Sequence, residues 1–538
     1  MPSSLEELGP EALAGMSLKT FTVPSTVKHI RQGCFYNCTA LEELNLPSSL
    51  ESFGIPDPDY PYSSYKVLEN TLLTELVLHG KNLLLGNSIC PQYLRKLTVG
   101  NDVETITTIV WNETNEWIDE SYSPLKGSNI YEIEYESGSV LKSIEGLYSN
   151  SAVQTVDNLP SSLKRIGHST FDRCPNLIKV VIPEGVEYLG DYCFNSCTKL
   201  KEVVFPESLV EFGRNCFTGC TSLPDDFPLP VSLTTAGIGT FSGCTFKSMT
   251  IPDGWTAIPA NLFAGTGIMS VTIPQTVAEI GKEAFYNCKA LESVDMNKVR
   301  TIGESAFRYC TALKSVSLPE SCERIEYMTF AGCSSLEDIS IPAVKVIEES
   351  AFIDCTSLTD IALPNTLETL GEGALNNTGI RQLYLNGAET LYAEITDCEM
   401  EKITISKNIK HLDGSLRMTG MAGSGYNEET GEGFNLIVEF EKESRLETFG
   451  NFFDYSYIEE IRLPASITTI DHGTFTGSTL KRLYMEATVP PDLNGVFRPD
   501  SFYRGEFRIY VPQGSEDLYK STDIWAEEYP DIILPYTL

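Results

Sequence analysis

The sequence predicts a solenoid, in which the chain winds into short coils and each coil adds a strand to a parallel sheet. The first observation behind this prediction is a fixed period of 22 to 24 residues between phenylalanines. They stand at Phe171, Phe194, Phe217, Phe241, Phe263, Phe285, Phe307, Phe330 and Phe352. The second is a strand pattern that ends at proline in the same units. The third is a composition of 42% hydrophobic and 21% charged residues, which is ordinary for a folded protein.

One repeat unit shows which residues form the strand. In Leu313-x-x-Val316-x-Leu318-Pro319 the apolar residues alternate with polar ones, which is typical of a short strand with one buried face. Proline has no N–H to donate to a neighbouring strand, so Pro319 is expected to end it. The same pattern recurs in residues 336–342. Because one coil cannot bury its apolar face alone, stacked coils are expected to bury it jointly.

The rest of each coil carries the motif Ile-x-x-x-Ala-Phe-x-x-Cys, as in residues 280–288. Its apolar residues have near-helical spacing, so we expect a short helical turn on the side of the coil opposite the sheet. The period predicts about 24 coils for a chain of this length. The phenylalanines and leucines are expected to form the core.

These motifs together carry a resemblance to a known family. The pattern Leu-x-x-Leu-x-Leu-Pro-x-x-Leu, followed by Ile-x-x-x-Ala-Phe-x-x-Cys, resembles the BspA-type leucine-rich repeat of bacterial surface proteins. Residues 41–50 match it closely. The segment from Ile509 to Trp525 is similar to the end of such arrays in gut Bacteroides-type bacteria, where the last coil is closed. The resemblance implies a curved parallel β-sheet on the concave face, with short helical turns and loops on the convex face.

The repeats predict a single solenoid domain over residues 1–538, with regular repeats in 160–410. Residues 51–160 are expected to be degenerate repeats with insertions, and 411–455 a degenerate repeat with a flexible loop. Residues 456–538 would hold the last repeats and the closing segment. The insertions are either tolerated loops or binding loops, since insertions in repeat proteins often fall on one face.

The net charge limits the possible partners, and the hydrophobic stretches and the first residues bear on membrane insertion and secretion. A net charge of −35 disfavours nucleic acid and anionic lipid, both of which need a basic face. No window approaches 18 apolar residues, so no membrane-spanning helix is predicted. The first seven residues lack the basic and apolar regions of a signal peptide, so none is predicted in this chain.

No motif predicts catalysis, a cofactor or a metal. The sequence has no P-loop, no H-E-x-x-H and no nucleophile elbow, and its five histidines are scattered. There is no C-x-x-C, and no cysteine and histidine pair at zinc-finger spacing. Asp57 and Asp59 lack the glycine and distal glutamate of a calcium loop. We therefore expect a chain that is not an enzyme.

The cysteines belong to the repeat. Nine of them lie three residues after a phenylalanine: Cys38, Cys174, Cys197, Cys220, Cys244, Cys288, Cys310, Cys333 and Cys355. Free cysteine usually behaves as a small buried hydrophobe. Equivalent cysteines on successive coils point the same way, whereas a disulfide needs converging Cβ atoms. We expect buried free thiols.

The outward strand positions indicate where a ligand would bind. In the middle coils these positions hold short side chains, such as Ser315 and Ser317, which also suit a curved sheet. In the C-terminal third they hold larger ones, and four are candidate binding residues: Tyr384, Arg462, Arg482 and Tyr484. Tyrosine and arginine dominate binding hot spots. Ordinary surface variation is the alternative explanation.

The function expected from the resemblance is non-catalytic binding at the cell surface or outside the cell, because BspA-like relatives are regarded as adhesins toward matrix or serum proteins. The partner would be a host or microbial macromolecule, bound by a monomer. The alternative is a carbohydrate-binding module, in which Trp111, Trp117 and nearby tyrosines stack on sugars. An enzyme assembled from distant residues is a third interpretation that no motif supports.

Overall fold

The structure is a computed structural model that describes most of the chain. The described residues are 4–56, 65–86, 89, 93–108, 124–125, 129–296, 298–396, 398, 400–417 and 436–537. They form two compact units, one of residues 1–255 with 259–274 and one of residues 256–258 with 275–538. Every strand pair described in either unit is parallel, as expected when successive coils stack in register. The assignment of the whole chain to one domain stays a prediction.

Most coils contribute two strands, and we call them the first and second strands in the order in which they occur. The first strand is the apolar-x-apolar segment of the sequence pattern, and the second lies about seven residues later, just before the phenylalanine turn. In the first unit the second strands form one ten-stranded sheet. Its strands, in order, are Glu7–Leu8, His29–Arg31, Ser52–Ile55, Asn82–Leu85, Thr105–Thr108, Ser143–Ile144, Arg165–Ile166, Tyr188–Leu189, Glu211–Phe212 and Thr235–Ala236.

The first strands of this unit form four shorter sheets. The first two sheets consist of Thr20–Thr22 with Glu43–Asn45, and of Glu75–Leu78, Lys96–Val99 and Glu132–Tyr135. The other two consist of Thr155–Val156, Lys179–Val181 and Glu202–Val204, and of Ser248–Thr250 with Ser270–Thr272. Strands from residues 51–160 therefore pair with strands of the regular repeats.

The second unit has the same two kinds of strand. Its second strands form a sheet of Ala257–Ile258, Glu279–Ile280 and Thr301–Ile302, and a sheet of Arg324–Ile325, Val346–Ile347, Thr369–Leu370, Thr390–Thr396, His411–Arg417, Thr448–Phe449, Thr469–Asp471 and Asp492–Asn494. Its first strands form sheets of Ser315–Ser317 with Asp338–Ser340, of Gln382–Leu385, Lys402–Ile405 and Ile437–Phe440, and of Glu460–Leu463, Arg482–Met485, Arg508–Pro512 and Ile533–Tyr536.

Helix is confined to the end of the second unit among the described residues. The helices are Asp500–Tyr503, Glu516–Tyr519 and Asp523–Glu528, followed by the 3₁₀ turn Pro530–Ile532. Three buried aromatic side chains, Tyr519, Trp525 and Tyr529, pack this segment against the last coils. The indole N–H of Trp525 donates to the Pro491 carbonyl at 2.8 Å, and the Tyr519 hydroxyl donates to the Ala487 carbonyl at 2.8 Å.

The solenoid expected from the period is confirmed, but it has about 21 turns rather than 24. The estimate of 24 divided the whole chain by one period. Insertions within 51–160 and 411–455, and the closing segment, lengthen some coils without adding turns. The second strands were not predicted at all, because most of them are only two to four residues long and too short to show a period.

The expected helical turn at the phenylalanine is a series of hydrogen-bonded turns instead. In residues 280–288, Glu283 and Asn287 have φ of 55° and 59°, which is the left-handed region and interrupts an α-helix. Alternate backbone N–H groups of the turn bond to the following coil, and those between them bond back within their own coil. Phe285 N donates to Ala306 O at 2.8 Å, and Asn287 N donates to Arg308 O at 2.8 Å.

The phenylalanines stack in columns, as the period predicts. In the first unit the ring centroids of Phe171 and Phe194 lie 4.9 Å apart, and the ring planes are inclined by 4°. In the second unit Phe307 lies 5.1 Å from Phe285 and 5.5 Å from Phe330, with nearly parallel planes. All five side chains are fully buried. The column therefore forms the core of successive coils.

The cysteines link coils through their thiols. Cys197, for example, donates its S–H to the Phe171 carbonyl of the preceding coil at 3.0 Å. The same contact, at 3.0 to 3.2 Å, is made by Cys38, Cys174, Cys220, Cys244, Cys310, Cys333 and Cys355. Where serine or threonine takes the place, as at Ser456 and Ser478, the hydroxyl bonds to the carbonyl three residues earlier in its own coil.

At several places opposite charges alternate from coil to coil just before the second strands. In the first unit Lys28 lies between Glu6 and Glu51, with its ammonium 3.2 Å from Glu6, and Glu104 pairs with Lys81 at 3.2 Å and Lys142 at 2.7 Å. In the second unit the ammonium of Lys345 lies 2.8 Å from the carboxylate of Glu323 on the preceding coil. The ammonium of Lys410 likewise lies 2.9 Å from the carboxylate of Glu389. Backbone hydrogen bonds place Glu368 and Glu447 next in these two rows. We call each set of three coils a charge triplet.

Replacing Phe307 by alanine should destabilise the second unit by about 3–5 kcal/mol, because a fully buried ring between two stacked rings would be lost. Hydrogen exchange should show faster exchange of the backbone N–H groups in the neighbouring coils. The exposed Ser317→Ala variant is the control and should leave exchange unchanged. Equal exchange in the two variants would contradict a core role for the column.

The thiols should react only when the coils open. Fourteen described cysteines are free and buried, and burial raises the pKa of the Cys244 and Cys355 thiols to about 12. Because the thiolate is the reactive form, a thiol-specific alkylating reagent at neutral pH should label the native protein slowly. Labelling in denaturant without reductant should reach these cysteines. Mass spectrometry that found several bonded pairs would refute the assignment.

Candidate functional site

The first strands place two side chains of each coil outward, and in the middle coils these are short. Val316 and Ile339 point inward and are buried, while Ser315, Ser317 and Asp338 are exposed beside them. The parallel register aligns Ser315 with Asp338. This part of the face therefore offers small polar groups and no large anchor.

A tyrosine and arginine surface lies where the first strands approach the end of the second unit. It consists of Arg462, Arg482, Tyr484, Tyr510 and Tyr536, and we call it the Tyr–Arg surface. The guanidinium of Arg462 lies 4.8 Å from the centroid of the Tyr484 ring and 5.1 Å from that of Tyr536. The rings of Tyr484 and Tyr510 stack at 4.7 Å and 15°. Cation–π and stacking contacts thus fix these side chains against one another.

Strand register explains why these residues meet. Tyr484 pairs directly with Tyr510 on the next strand, so their side chains lie in one row. Tyr536 comes from the last strand, and its hydroxyl donates to the Met485 carbonyl at 3.0 Å. That bond directs its ring toward Tyr484, which it meets edge-on at 5.5 Å.

Charge at the surface is partly balanced. Nε of Arg482 donates to a carboxylate oxygen of Glu460 at 2.8 Å, and this hydrogen bond raises the pKa of the arginine. Partial burial is the main cause that raises the pKa of Tyr484, with Glu460 adding to it. The hydroxyl of Tyr484 is therefore neutral at physiological pH, and Arg462 presents its charge on aromatic faces.

Tyr384 lies in a separate groove on the same run of first strands. The groove has a volume of about 530 Å³ and is lined by Asp360, Arg381, Gln382, Tyr384 and Lys402, among others. The Tyr384 hydroxyl donates to Glu441 at 2.7 Å, and Glu441 also accepts from the backbone N–H of Lys407 at 3.1 Å. Glu441 therefore sets the direction of the tyrosine.

The four residues named from the sequence thus fall into two places. Arg462, Arg482 and Tyr484 lie together, whereas the strand of Tyr384 is three strands away from that of Arg462, roughly 14 Å at the usual strand spacing. Sequence reasoning missed Tyr510 and Tyr536. The signal for Tyr510 was its place in the same strand pattern as Tyr484, within a segment interpreted only as the closing of the array. A binding role for the four stays a prediction.

Several sequence-based expectations concern other residues. Trp111, Trp117, Asp57 and Asp59 lie outside the described residues, as does the glycine-rich segment within 418–435. Within the described part of the chain, no group of three or more histidine, cysteine, aspartate or glutamate side chains could hold a metal ion. Among the helices described, none is long and apolar enough to cross a membrane.

Repeated coils that present a continuous outward row of side chains form a repeat scaffold. Scaffolds of this class are typically used for non-catalytic protein interaction. The sequence matches the family described as BspA type leucine rich repeat region, in six copies, over residues 1–56, 100–224, 225–298, 291–396 and 434–498. These matches cover well over half of the chain, and the chain belongs to this family. No curated protein matches it.

Solved structures of bacterial leucine-rich repeat proteins are similar in fold. One from Bacteroides ovatus is 22% identical, with 71% of this chain and 92% of that chain covered and a TM-score of 0.38. A leucine rich cell surface protein from Faecalibacterium prausnitzii is 22% identical, with 53% and 87% covered and a TM-score of 0.34. One from Eubacterium ventriosum is 18% identical, with 68% and 82% covered and a TM-score of 0.36. At these identities the likeness concerns the fold alone.

Acidification should release Tyr384. Two hydrogen bonds lower the pKa of Glu441 below its ordinary value. The bond from the Lys407 backbone N–H has the larger effect, and that from the Tyr384 hydroxyl comes second. These bonds are therefore fully present above the ordinary pKa of a glutamate and are lost as pH falls through the lowered value. A carboxyl NMR titration of Tyr384→Phe should show the pKa of Glu441 moved upward. Tyr457→Phe is the control, and an equal titration in both variants would contradict the contact.

Proposed function

We propose that this chain is a non-catalytic, adhesin-like binding protein of the cell surface or extracellular space, and that it binds a host or microbial protein. The observation that carries the proposal is the position of Arg462 against the rings of both Tyr484 and Tyr536. Family membership supports the class, and the resemblance to bacterial surface proteins supports the location. We expect a monomer that binds matrix or serum proteins.

The physical argument is preorganisation. Tyrosine and arginine contribute most where they are already ordered, because little side-chain entropy is then lost on binding. On the Tyr–Arg surface each ring already packs on a neighbour, and Arg482 is tethered by Glu460. The short serine side chains of the middle coils provide no comparable anchor.

The test is a binding screen of the full chain against immobilised matrix proteins and serum proteins at physiological salt, with a glycan panel alongside. For a protein that binds saturably, the double variant Arg462→Ala, Tyr484→Ala should reduce affinity at least about tenfold, as expected for central anchors. The reason is that both the cation and its aromatic platform are removed.

The matched control is Ser315→Ala, Ser317→Ala, which alters the same outward row in the middle coils and should leave affinity unchanged. Tyr384→Ala, measured separately, tests whether the groove belongs to the same site. Undiminished affinity in the Arg462 and Tyr484 double variant would rule out the Tyr–Arg surface, and the absence of any protein ligand would contradict the adhesin proposal.

A further inference from the structure

A second place in the molecule combines exposed aromatic rings with an arginine, and it lies in the first unit. An open cavity of about 490 Å³ is lined by Tyr93, Arg95, Asn129 and Tyr131. These residues stand just before the strands Lys96–Val99 and Glu132–Tyr135. The cavity is therefore a feature of two neighbouring coils and is independent of the Tyr–Arg surface.

The backbone register arranges the four residues in a two-by-two pattern. Lys96 pairs with Glu132, and the backbone N–H of Tyr131 donates to the Arg95 carbonyl at 3.3 Å. Arg95 thus lies beside Tyr131, and Tyr93 lies beside Asn129 on the adjacent coil. The two tyrosines stand diagonally opposite, separated by about one coil spacing of ~4.8 Å along the stack.

Both tyrosines are unusually exposed for large aromatic residues, with 47% of Tyr93 and 58% of Tyr131 accessible to solvent. The neighbouring Lys96 is paired with Glu134 at 2.7 Å. For the guanidinium of Arg95, in contrast, the described residues supply no ion-pair partner. An arginine without an ion-pair partner among the described residues can offer its guanidinium to an anion.

We propose that this cavity binds a carboxylate-bearing saccharide, such as a uronic acid unit of a polysaccharide. Arg95 would accept the carboxylate in a bidentate contact, Asn129 would bond to ring hydroxyls, and the faces of Tyr93 and Tyr131 would contact the C–H faces of the sugar. The described lining residues include no aliphatic side chain, so they offer no apolar pocket to the anchor of a peptide. Two amphipathic rings with polar groups between them match a sugar instead.

The charges around the cavity set how selective it is. Glu132 follows Tyr131 directly, and Lys96 lies between Glu75 and Glu132 in the sheet register. The carboxylates of these glutamates disfavour an anion that binds by charge alone. An acidic sugar must therefore combine the arginine contact with ring stacking, and a simple polyanion lacks the second part.

The test measures calorimetric binding of the full chain to oligogalacturonate and to a neutral galacto-oligosaccharide of equal length. We expect saturable binding of the acidic oligosaccharide and at least about tenfold weaker binding of the neutral one. Arg95→Gln should remove that preference, and Tyr131→Ala should weaken binding of the acidic sugar at least about tenfold. Tyr503→Ala, at a tyrosine that is 73% exposed in the second unit, is the matched control and should bind normally.

Each other outcome would overturn the proposal. Equal binding of both sugars would refute the role of Arg95, and binding of neither would refute a saccharide site. Binding of polyglutamate as tightly as oligogalacturonate would point to an acidic peptide. The Arg462→Ala, Tyr484→Ala variant should keep its sugar binding, which separates this site from the proposed protein-binding surface.

Discussion

The structure depends on the fact that no coil satisfies its own backbone. Around the phenylalanine turn, left-handed residues such as Asn287 direct alternate N–H groups out of the coil, and the next coil accepts them. Buried N–H groups need partners, so each coil is complete only when its neighbour is in register. That register then fixes the stacking of Phe285 on Phe307 and the thiol contact of Cys310 with the Phe285 carbonyl.

The same register produces continuous outward rows of side chains without any special loop. An outward position recurs once per coil, so residues 22 to 26 apart in sequence become neighbours in a row. Tyr484 and Tyr510 stack for this reason, and Arg462 lies on the preceding strand of the same sheet. A rigid row costs little to order when a partner arrives, because the backbone is already fixed by the core. The fold thus converts single substitutions in a repeat into an extended, preformed face.

Much of the fold was predictable from local patterns. The strand at Ser315–Ser317 and the Phe307 core position follow from alternation and period. The prediction of a helical turn was wrong because apolar spacing does not reveal which residues take the left-handed conformation. Several polar residue types take that conformation here. The second strands, such as Glu279–Ile280, are too short to be periodic.

The candidate site was less predictable than the fold. Tyr384 was grouped with Arg462 because both occupy outward positions, but the sequence does not give the number of strands between them. Tyr536 enters the surface through a bond to the Met485 carbonyl, 51 residues away, and no repeat pattern marks it. Residues that meet through the stacking of irregular coils are thus the ones that sequence reasoning misses.

The charge triplets have a consequence for how such an array changes in length. In the first triplet, deletion of the coil that carries Lys28 would bring Glu6 beside Glu51. The same holds for Lys345 between Glu323 and Glu368. Each surface pair is weak, so the effect is a bias rather than a barrier. It nevertheless disfavours loss of the central coil of a triplet on its own, because two glutamates would then become neighbours.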